Sequence, residues 1–208
     1  MNLHNNFGVS AEKFTSDMLS ADEKKKEYVD VVIQKICELG EIKAAYDFGC
    51  GSGIYVQALI DKGVKTLGFD SNEKLLSKLN TSVKNLRFLD LSKNIFDLFF
   101  FRPRDLIISF EIAEHIARNK IDVFFQNIIT LADDWIVLTA SPDVGTYHLN
   151  PQPRRYWIDH VEKFSVHLYQ EDLTENIMEY FRSKIPDDQL VWFRRDLMIF
   201  KKVPKGDV

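Results

Sequence analysis

Short apolar runs alternate with amphipathic patterns along most of this chain. The apolar runs are rich in β-branched and aromatic residues, as buried strands are: AAYDF, KTLGFD, LRFLD, DLIISF and WIVLTAS. Helical patterns lie between them: GIYVQALIDKG, NEKLLSKLNTS and KIDVFFQNIITLADD. Apolar strands that alternate with helices are typical of parallel β/α units. The pattern predicts a doubly wound α/β fold, with a mostly parallel sheet and helices on both faces.

Further elements are predicted at the two ends of the chain. Over residues 20–39 the apolar residues recur at helical spacing opposite the polar run KKKE, which predicts an N-terminal helix. After Pro153 the stretches RRYWIDHVEKF and QEDLTENIMEYFRSKI are helical in pattern, and RDLMIFKK has the pattern of a final strand. The sequence has no repeat, low-complexity segment or linker, so we expect one domain over residues 1–208.

Composition and charge limit the class of protein. A chain of 208 residues that is 45% hydrophobic and 28% charged has the balance of a globular domain with a sizeable core. A formal net charge of -4 argues against binding nucleic acid mainly by electrostatics, although local basic patches stay possible. Cys37 and Cys50 show no metal-ligand spacing, and the sequence has neither a membrane-length apolar run nor a signal peptide. We therefore expect a cytoplasmic protein in a reducing compartment.

Acidic residues follow four consecutive predicted strands. In an open α/β sheet a ligand binds outside the carboxyl ends of the strands, so these residues are candidates for a site. Each one taken singly could instead cap a helix. Together they make a cap role for all of them less plausible. The residues at these ends are Asp47, Asp70, Asp90, and the group Glu111, Glu114 and His115.

A glycine loop follows the first predicted strand. Gly49, Gly51 and Gly53 are spaced GxGxG, whereas the dinucleotide fingerprint GxGxxG would need a glycine where Ile54 stands. The loop also lacks the Gly-Lys-Ser/Thr of a phosphate-binding P-loop. Asp70, at the end of the next strand, is placed to accept hydrogen bonds from a ribose diol. The sequence therefore predicts a ligand that contains a nucleoside.

The ordered set DFGCGSG, LGFD, LRFLDLS and DLIISFEIAEHI resembles the successive motifs of class I S-adenosylmethionine-dependent methyltransferases. The resemblance covers residues 44–142. It implies a Rossmann-like sheet of seven strands with the last strand antiparallel, and S-adenosyl-L-methionine as the cofactor. It divides the chain into an N-terminal helical cap (1–40), a cofactor-binding half (44–142) and a substrate-side half (143–208). The implied cofactor-binding residues are Asp47, Gly49, Cys50, Gly51, Gly53, Asp70, Ser71, Leu89, Asp90, Leu91 and Phe110.

The resemblance also implies how the reaction is divided among residues. Asp47 and the glycine loop would hold the methionine part, Asp70 the ribose hydroxyls, and Asp90 with its neighbours the adenine. Methyl transfer from a sulfonium is an in-line displacement, so the protein chiefly aligns the acceptor and manages its proton. We expect His148 and then His115 as candidate bases, with Glu111 beside them. The predicted reaction is methylation of a small molecule, at an oxygen of a sugar or natural-product-type metabolite.

Two alternatives remain open from the sequence. Glu111, Glu114 and His115 at i, i+3 and i+4 could share one helical face and bind a divalent metal, as in small-RNA 2'-O-methyltransferases. Many metal-free methyltransferases carry a similar stretch, and the net charge disfavours a long RNA, so we expect neither a metal nor a nucleic-acid substrate. The other alternative is a non-catalytic partner subunit that only binds the cofactor.

Overall fold

The computed structural model describes residues 25–78, 84–95, 101–145, 147–164 and 167–203, which contain seven strands and seven α-helices. Helix α1 occupies residues 25–37 of this part. The other helices are α2 (Ile54–Asp61), α3 (Glu73–Lys78), α4 (Ile121–Leu131), α5 (Arg154–Glu162), α6 (Glu171–Lys184) and α7 (Val191–Arg195). The strands are β1 (Ala44–Phe48), β2 (Lys65–Asp70), β3 (Leu86–Phe88), β4 (Arg104–Phe110), β5 (Ala132–Thr139), β6 (His167–Tyr169) and β7 (Met198–Lys202).

The strands form one sheet in the order β3-β2-β1-β4-β5-β7-β6. Neighbouring strands from β3 to β5 pair in parallel, and β7 pairs antiparallel with both β5 and β6. This arrangement confirms the predicted α/β, Rossmann-like sheet of seven strands with the last strand antiparallel. The strand order reverses between β1 and β4, which places a crevice at the carboxyl ends of these two strands.

Apolar side chains are buried on both faces of the sheet. On one face Ile107 and Ile136 pack with Phe124 and Phe125 of α4 and with Trp157 of α5. On the other face the buried residues come from the sheet and from helices α1, α2, α6 and α7: Ile108, Val137, Val32, Ile36, Leu59, Phe181 and Phe193. Strands β1, β4 and β5 are therefore covered on both faces, as their nearly continuous apolar sequences require.

Three details differ from the sequence-based expectation. The stretch Ala132 to Asp134 was predicted to end helix α4, but it begins strand β5, where Ala132 pairs with Arg104 of β4. Pairing with a neighbouring strand overrides the weak strand preference of aspartate. Strand β6 and helix α7 were not predicted, because elements of three and five residues are too short to show a period. A short 3-10 helix, Ala113–His115, replaces the helix expected around EIAEHI.

Candidate active site

The glycine loop, residues 49–53, lies at the carboxyl end of β1. The N–H groups of Gly49 and Cys50 both donate to the carbonyl of Phe69 in β2, at 2.7 and 3.0 Å. Gly49, Gly51 and Gly53 have φ angles of 84°, 53° and 82°. These angles lie in the left-handed region that favours glycine, so the turn itself requires all three residues.

Two of these glycines also permit close packing. A Cβ on Gly49 would lie 2.2 Å from the side chain of Ile112, and a Cβ on Gly53 would lie 2.9 Å from Leu86. Ile112 follows β4, so the loop after β1 touches the segment after β4 directly. The glycine loop thus joins the two strand ends that flank the crevice.

Asp70 ties the end of β2 to the glycine loop. Its Oδ2 accepts the N–H of Gly51 at 2.9 Å, and its Oδ1 accepts the N–H of Asn72 at 2.7 Å. Ser71 beside it is exposed. Each carboxylate oxygen can accept a second hydrogen bond.

Asp47 and Cys50 are buried at the base of the loop. Asp47 is 2% exposed, and its Oδ2 has no hydrogen-bond partner among the described residues. Burial, and then the charge of Asp70, raise the pKa of Asp47 well above its usual value. Burial, and then the charges of Asp47 and Asp70, raise the pKa of the Cys50 thiol. Cys50 is therefore a packing residue and not a thiolate nucleophile.

Asp90 lies beyond β3 between two buried leucines, Leu89 and Leu91. Its Oδ1 accepts hydrogen bonds from the N–H and the hydroxyl of Ser92 at 3.1 and 2.6 Å. Burial opposes ionisation, but these bonds and the nearby Lys93 lower the pKa of Asp90 below its usual value. Asp90 is thus an ionised acceptor at the strand end.

Phe110 ends β4 and is buried. Its ring packs edge to face against Tyr55 and Phe193, with ring centres 5.0 and 4.7 Å away. Its side chain therefore belongs to the core between sheet and helices. Only the backbone of Phe110 is left to contact a ligand.

Glu111 and Glu114 follow β4. Glu111 has a φ of 56°, and its N–H donates to the carbonyl and the hydroxyl of Thr139 at 3.0 and 3.1 Å. Glu114 is fully buried, and its Oε1 accepts the N–H of Ser141 at 3.2 Å. Glu114 also accepts, through its backbone carbonyl, the N–H groups of Leu149 and Asn150. These bonds hold the loop after β5 against the segment after β4.

The structure brings His115 and His148 together. Their ring centres are 4.9 Å apart and the rings are nearly perpendicular. Nδ1 of His115 lies 3.0 Å from the carbonyl oxygen of Tyr147, and Nδ1 of His148 lies 2.7 Å from that of Asp143. A carbonyl oxygen only accepts hydrogen bonds, so each Nδ1 carries a proton and donates it to the loop backbone.

Glu114, His115 and His148 form a compact group, which we call the Glu–His–His cluster. Each residue offers one oxygen or nitrogen atom, and these atoms lie within 4.8 Å of one another. The prediction that Glu111, Glu114 and His115 share one helical face is wrong. Glu111 precedes the 3-10 helix and has a left-handed backbone conformation. The third member is His148, which lies 33 positions after His115 in the sequence.

Charge and burial set the protonation of this region. Burial, and then the charge of Glu114, raise the pKa of Glu111 to about 8. Burial outweighs two backbone hydrogen bonds and raises the pKa of Glu114 to about 7. Burial lowers the pKa of His115 despite its bond to Tyr147. His115 is therefore neutral near pH 7.

Two residues near His148 escaped the sequence-based reasoning. A Cβ on Gly145 would lie 2.9 Å from Cε1 of His148, so a glycine there lets the imidazole lie over the loop backbone. Arg195, at the end of α7, contacts Asp143 Oδ2 at 2.9 Å and Asp196 Oδ2 at 2.7 Å. Because the carbonyl of Asp143 holds His148, Arg195 braces the loop that positions this histidine. The ion pair between Arg195 and Asp143 joins segments that are distant in the sequence, so no sequence pattern predicted it.

The other described histidines, His160 and His167, do not belong to this cluster. His160 bonds to the carbonyl of Tyr156, and His167 is fully buried, as structural histidines are. The described residues include no helix that combines the length and the apolar character needed to span a membrane. His4 lies outside the described residues.

Comparisons with known proteins identify the fold. No protein-family model and no curated protein matches the sequence. A solved TehB-like methyltransferase from Corynebacterium glutamicum is 17% identical, with a TM-score of 0.65 over 93% of this chain and 98% of that one. The magnesium protoporphyrin IX methyltransferase of Synechocystis, solved with bound S-adenosylhomocysteine, is 15% identical, with a TM-score of 0.59 over 97% and 90%.

A third structure, an S-adenosylmethionine-dependent methyltransferase from Archaeoglobus fulgidus, is 16% identical, with a TM-score of 0.60 over 86% of this chain and 94% of that one. The three alignments cover between 86% and 97% of this chain. The chain has the fold of class I S-adenosylmethionine-dependent methyltransferases.

Proposed function

We propose that this protein is an S-adenosylmethionine-dependent methyltransferase that methylates an oxygen of a small molecule, of the sugar or natural-product type. One observation carries the proposal: Gly49 of the glycine loop packs against Ile112, which leads directly into Glu114 and His115. A cofactor bound at the loop would therefore lie beside groups that can act on an acceptor. This is the switch point at which doubly wound folds bind ligands.

The cofactor assignment follows the strand ends. Asp47 and the glycine loop, including the backbone of Cys50, hold the methionine part. Asp70, at the end of β2, accepts the ribose hydroxyls, with Ser71 beside it. Leu89, Asp90 and Leu91 border the adenine, and the backbone of Phe110 borders the methyl group. Bound S-adenosylhomocysteine in the Synechocystis enzyme of the same fold supports this choice of cofactor.

The acceptor side is assigned to the substrate-side half and the end of β4. A hydroxyl acceptor must lose its proton, and a neutral imidazole with a bare Nε2 accepts one near pH 7. His148 is the first candidate, because it lies in the loop after β5 and is only partly buried. His115 is the second, and Glu111, which directly follows β4, is the third.

The acceptor class rests on charge and size. A net charge of -4 does not attract a polyanion such as a long RNA, so we assign a compact acceptor. Residues 1–24 of the predicted N-terminal cap, 1–40, lie outside the described residues. We place the activity in the cytoplasm.

Calorimetry and a turnover screen test the proposal. S-adenosylhomocysteine should bind with one site per chain, and radiolabelled S-adenosylmethionine should transfer its methyl group to at least one member of a panel of sugars and hydroxylated metabolites. Absence of binding would remove the cofactor assignment. Binding without transfer to any acceptor, including short RNAs, would favour the non-catalytic partner subunit.

A further inference from the structure

We infer that the Glu–His–His cluster of Glu114, His115 and His148 binds one divalent transition-metal cation, such as Zn²⁺, Mn²⁺ or Fe²⁺. The ligand atoms lie within 4.8 Å of one another. Metal bonds of about 2.0–2.2 Å to histidine and carboxylate place donor atoms up to roughly 4 Å apart, so a small rotation of the partly buried His148 closes the site. Whether the cation binds does not depend on the proposed function; its use in catalysis does.

The protonation of the two imidazoles fits metal binding. Both Nδ1 atoms are occupied by backbone carbonyls, Tyr147 for His115 and Asp143 for His148. Such an outer bond fixes the tautomer and the ring orientation of a metal-binding histidine. Each Nε2 is the remaining ring nitrogen, and imidazole binds a cation through such a nitrogen in its neutral form.

Glu114 supplies the independent observation. It is fully buried, its Oε1 accepts the N–H of Ser141, and its Oε2 has no hydrogen-bond partner among the described residues. An unpaired buried carboxylate oxygen is costly. A cation in the cluster would bind this carboxylate and compensate its charge.

The ligand set selects the class of metal. Two imidazole nitrogens and one carboxylate oxygen suit Zn²⁺, Mn²⁺ or Fe²⁺, whereas Mg²⁺ and Ca²⁺ prefer oxygen ligands throughout. Three protein ligands also leave coordination positions open. The site would therefore accept one further oxygen, and this inference replaces the sequence-based expectation of a metal-free site.

On the proposed function, that further oxygen is the acceptor's hydroxyl. Bound to the cation, its pKa falls, so its O–H bond breaks and the proton passes to water. The resulting alkoxide forms the new C–O bond while the C–S bond of S-adenosylmethionine breaks, which leaves S-adenosylhomocysteine. In this case the Nε2 atoms of His115 and His148 would bind the metal, and neither histidine would take the acceptor's proton itself.

Metal titration of the full chain tests the inference without any acceptor. Protein freed of metal by a chelator and dialysed should bind one equivalent of Zn²⁺ or Mn²⁺ in calorimetry, and Co²⁺ should give visible absorption bands. His148→Ala and the isosteric Glu114→Gln should each weaken binding by at least about tenfold. His160→Gln, a histidine variant outside the cluster, should bind as the unmodified protein does.

Two outcomes would overturn the inference: no metal bound at millimolar concentrations, or equal affinity in His148→Ala and the unmodified protein. Thermal unfolding of each variant confirms folding, and His148→Ala keeps the test decisive if Glu114→Gln does not fold. S-adenosylhomocysteine binding is measured separately on metal-free protein. If S-adenosylhomocysteine binds and the metal does not, the methyltransferase proposal stands. If the metal binds and S-adenosylhomocysteine does not, the methyltransferase proposal is overturned instead.

Discussion

At the scale of single residues, Asp70 offers the most direct test of the cofactor site. Asp70→Ala removes the proposed acceptor for two ribose hydroxyls, and hydrogen bonds to a charged group contribute about 1.5–3 kcal/mol. We expect the dissociation constant for S-adenosylmethionine to rise about tenfold to a hundredfold, measured by calorimetry. Asp61→Ala, at the exposed end of α2, is the control.

Asp70 also holds the N–H groups of Gly51 and Asn72, so folding of the variant must be checked by thermal unfolding. Unchanged affinity in a folded Asp70→Ala protein would remove this residue from the site. It would also undermine the alignment of the strand-end acids, because Asp47 and Asp90 are assigned on the same grounds.

The sequence predicted single residues well where a strand end fixes their place. Asp70 ends β2 as the strand pattern predicted, whereas Asp90 lies two residues beyond the end of β3. It predicted less about the glycines: Gly51 has a φ of 53°, so a valine there would strain the backbone as well as exclude a ligand. It also could not pair His115 with His148, because that contact depends on where the loop after β5 returns.

At the scale of elements, the bounds of β1 and β2 match the sequence pattern residue for residue. Their apolar runs are bounded by glycines and charged residues, so the pattern shows both ends. Strand β6 and helix α7 are held by pairing with β7 and packing on α6, which are contacts distant in sequence. Local hydrophobic periodicity does not predict contacts between residues that are distant in the sequence.

Helix α7 affects the site through Arg195, which leads to a second prediction. Arg195→Gln removes the ion pair with Asp143 and loosens the loop that holds His148. Methyl transfer should fall roughly tenfold to a hundredfold, because small misplacements of a reacting group are costly. Calorimetry should show cofactor affinity within about twofold of the unmodified protein.

Arg155→Gln is the matched control, since this exposed arginine pairs with Asp159 on its own helix, α5. It should leave turnover unchanged. Equal turnover in Arg195→Gln and Arg155→Gln would show that the brace on Asp143 has no part in the reaction.

Strand β6 carries a buried histidine that makes stability depend on pH. Burial, and then the charge of Lys202, lower the pKa of His167 to about 4, below its unfolded value of about 6.5. Between these values the unfolded chain binds more protons than the folded one. The contribution of His167 to stability is therefore complete above pH 6.5 and is lost as the pH falls toward 4.

Urea unfolding at pH 7.5, 6.5 and 5.5 measures this effect. The unmodified protein should lose stability over this range more steeply than His167→Leu, which has nothing to protonate at the site. His160→Gln controls for the loss of a histidine elsewhere. Parallel pH slopes for His167→Leu and the unmodified protein would show that His167 is not neutral and buried in solution.

At the scale of the whole molecule, the order of the sheet was the part that local pattern alone could not give. Alternating strands and helices predicted the doubly wound class, and the family resemblance added seven strands with the last one antiparallel. The order then explains the site: β1 and β4 are neighbours at the reversal, so the glycine loop meets the segment of Glu114. Strand residues 61 positions apart in the sequence pair here, so the loops that follow them share one crevice.

The proposed division into a cofactor-binding half and an acceptor side predicts that variants in the two parts affect cofactor binding and turnover separately. Asp70→Ala acts in the cofactor-binding half, so it should raise the dissociation constant for the cofactor and leave kcat at saturating cofactor close to normal. His148→Ala acts on the acceptor side, so it should lower kcat roughly a hundredfold with cofactor affinity nearly unchanged, as expected of a group used only in the chemical step.

Both proteins are assayed with an acceptor from the screen, before and after treatment with a chelator. Loss of activity on chelation in the unmodified protein, restored by Zn²⁺ or Mn²⁺, would assign the effect of His148 to metal binding. Chelation without effect would leave His148 as a direct base. Full turnover in His148→Ala would remove the histidine from the reaction and point to an acceptor that needs no deprotonation, such as a carboxylate.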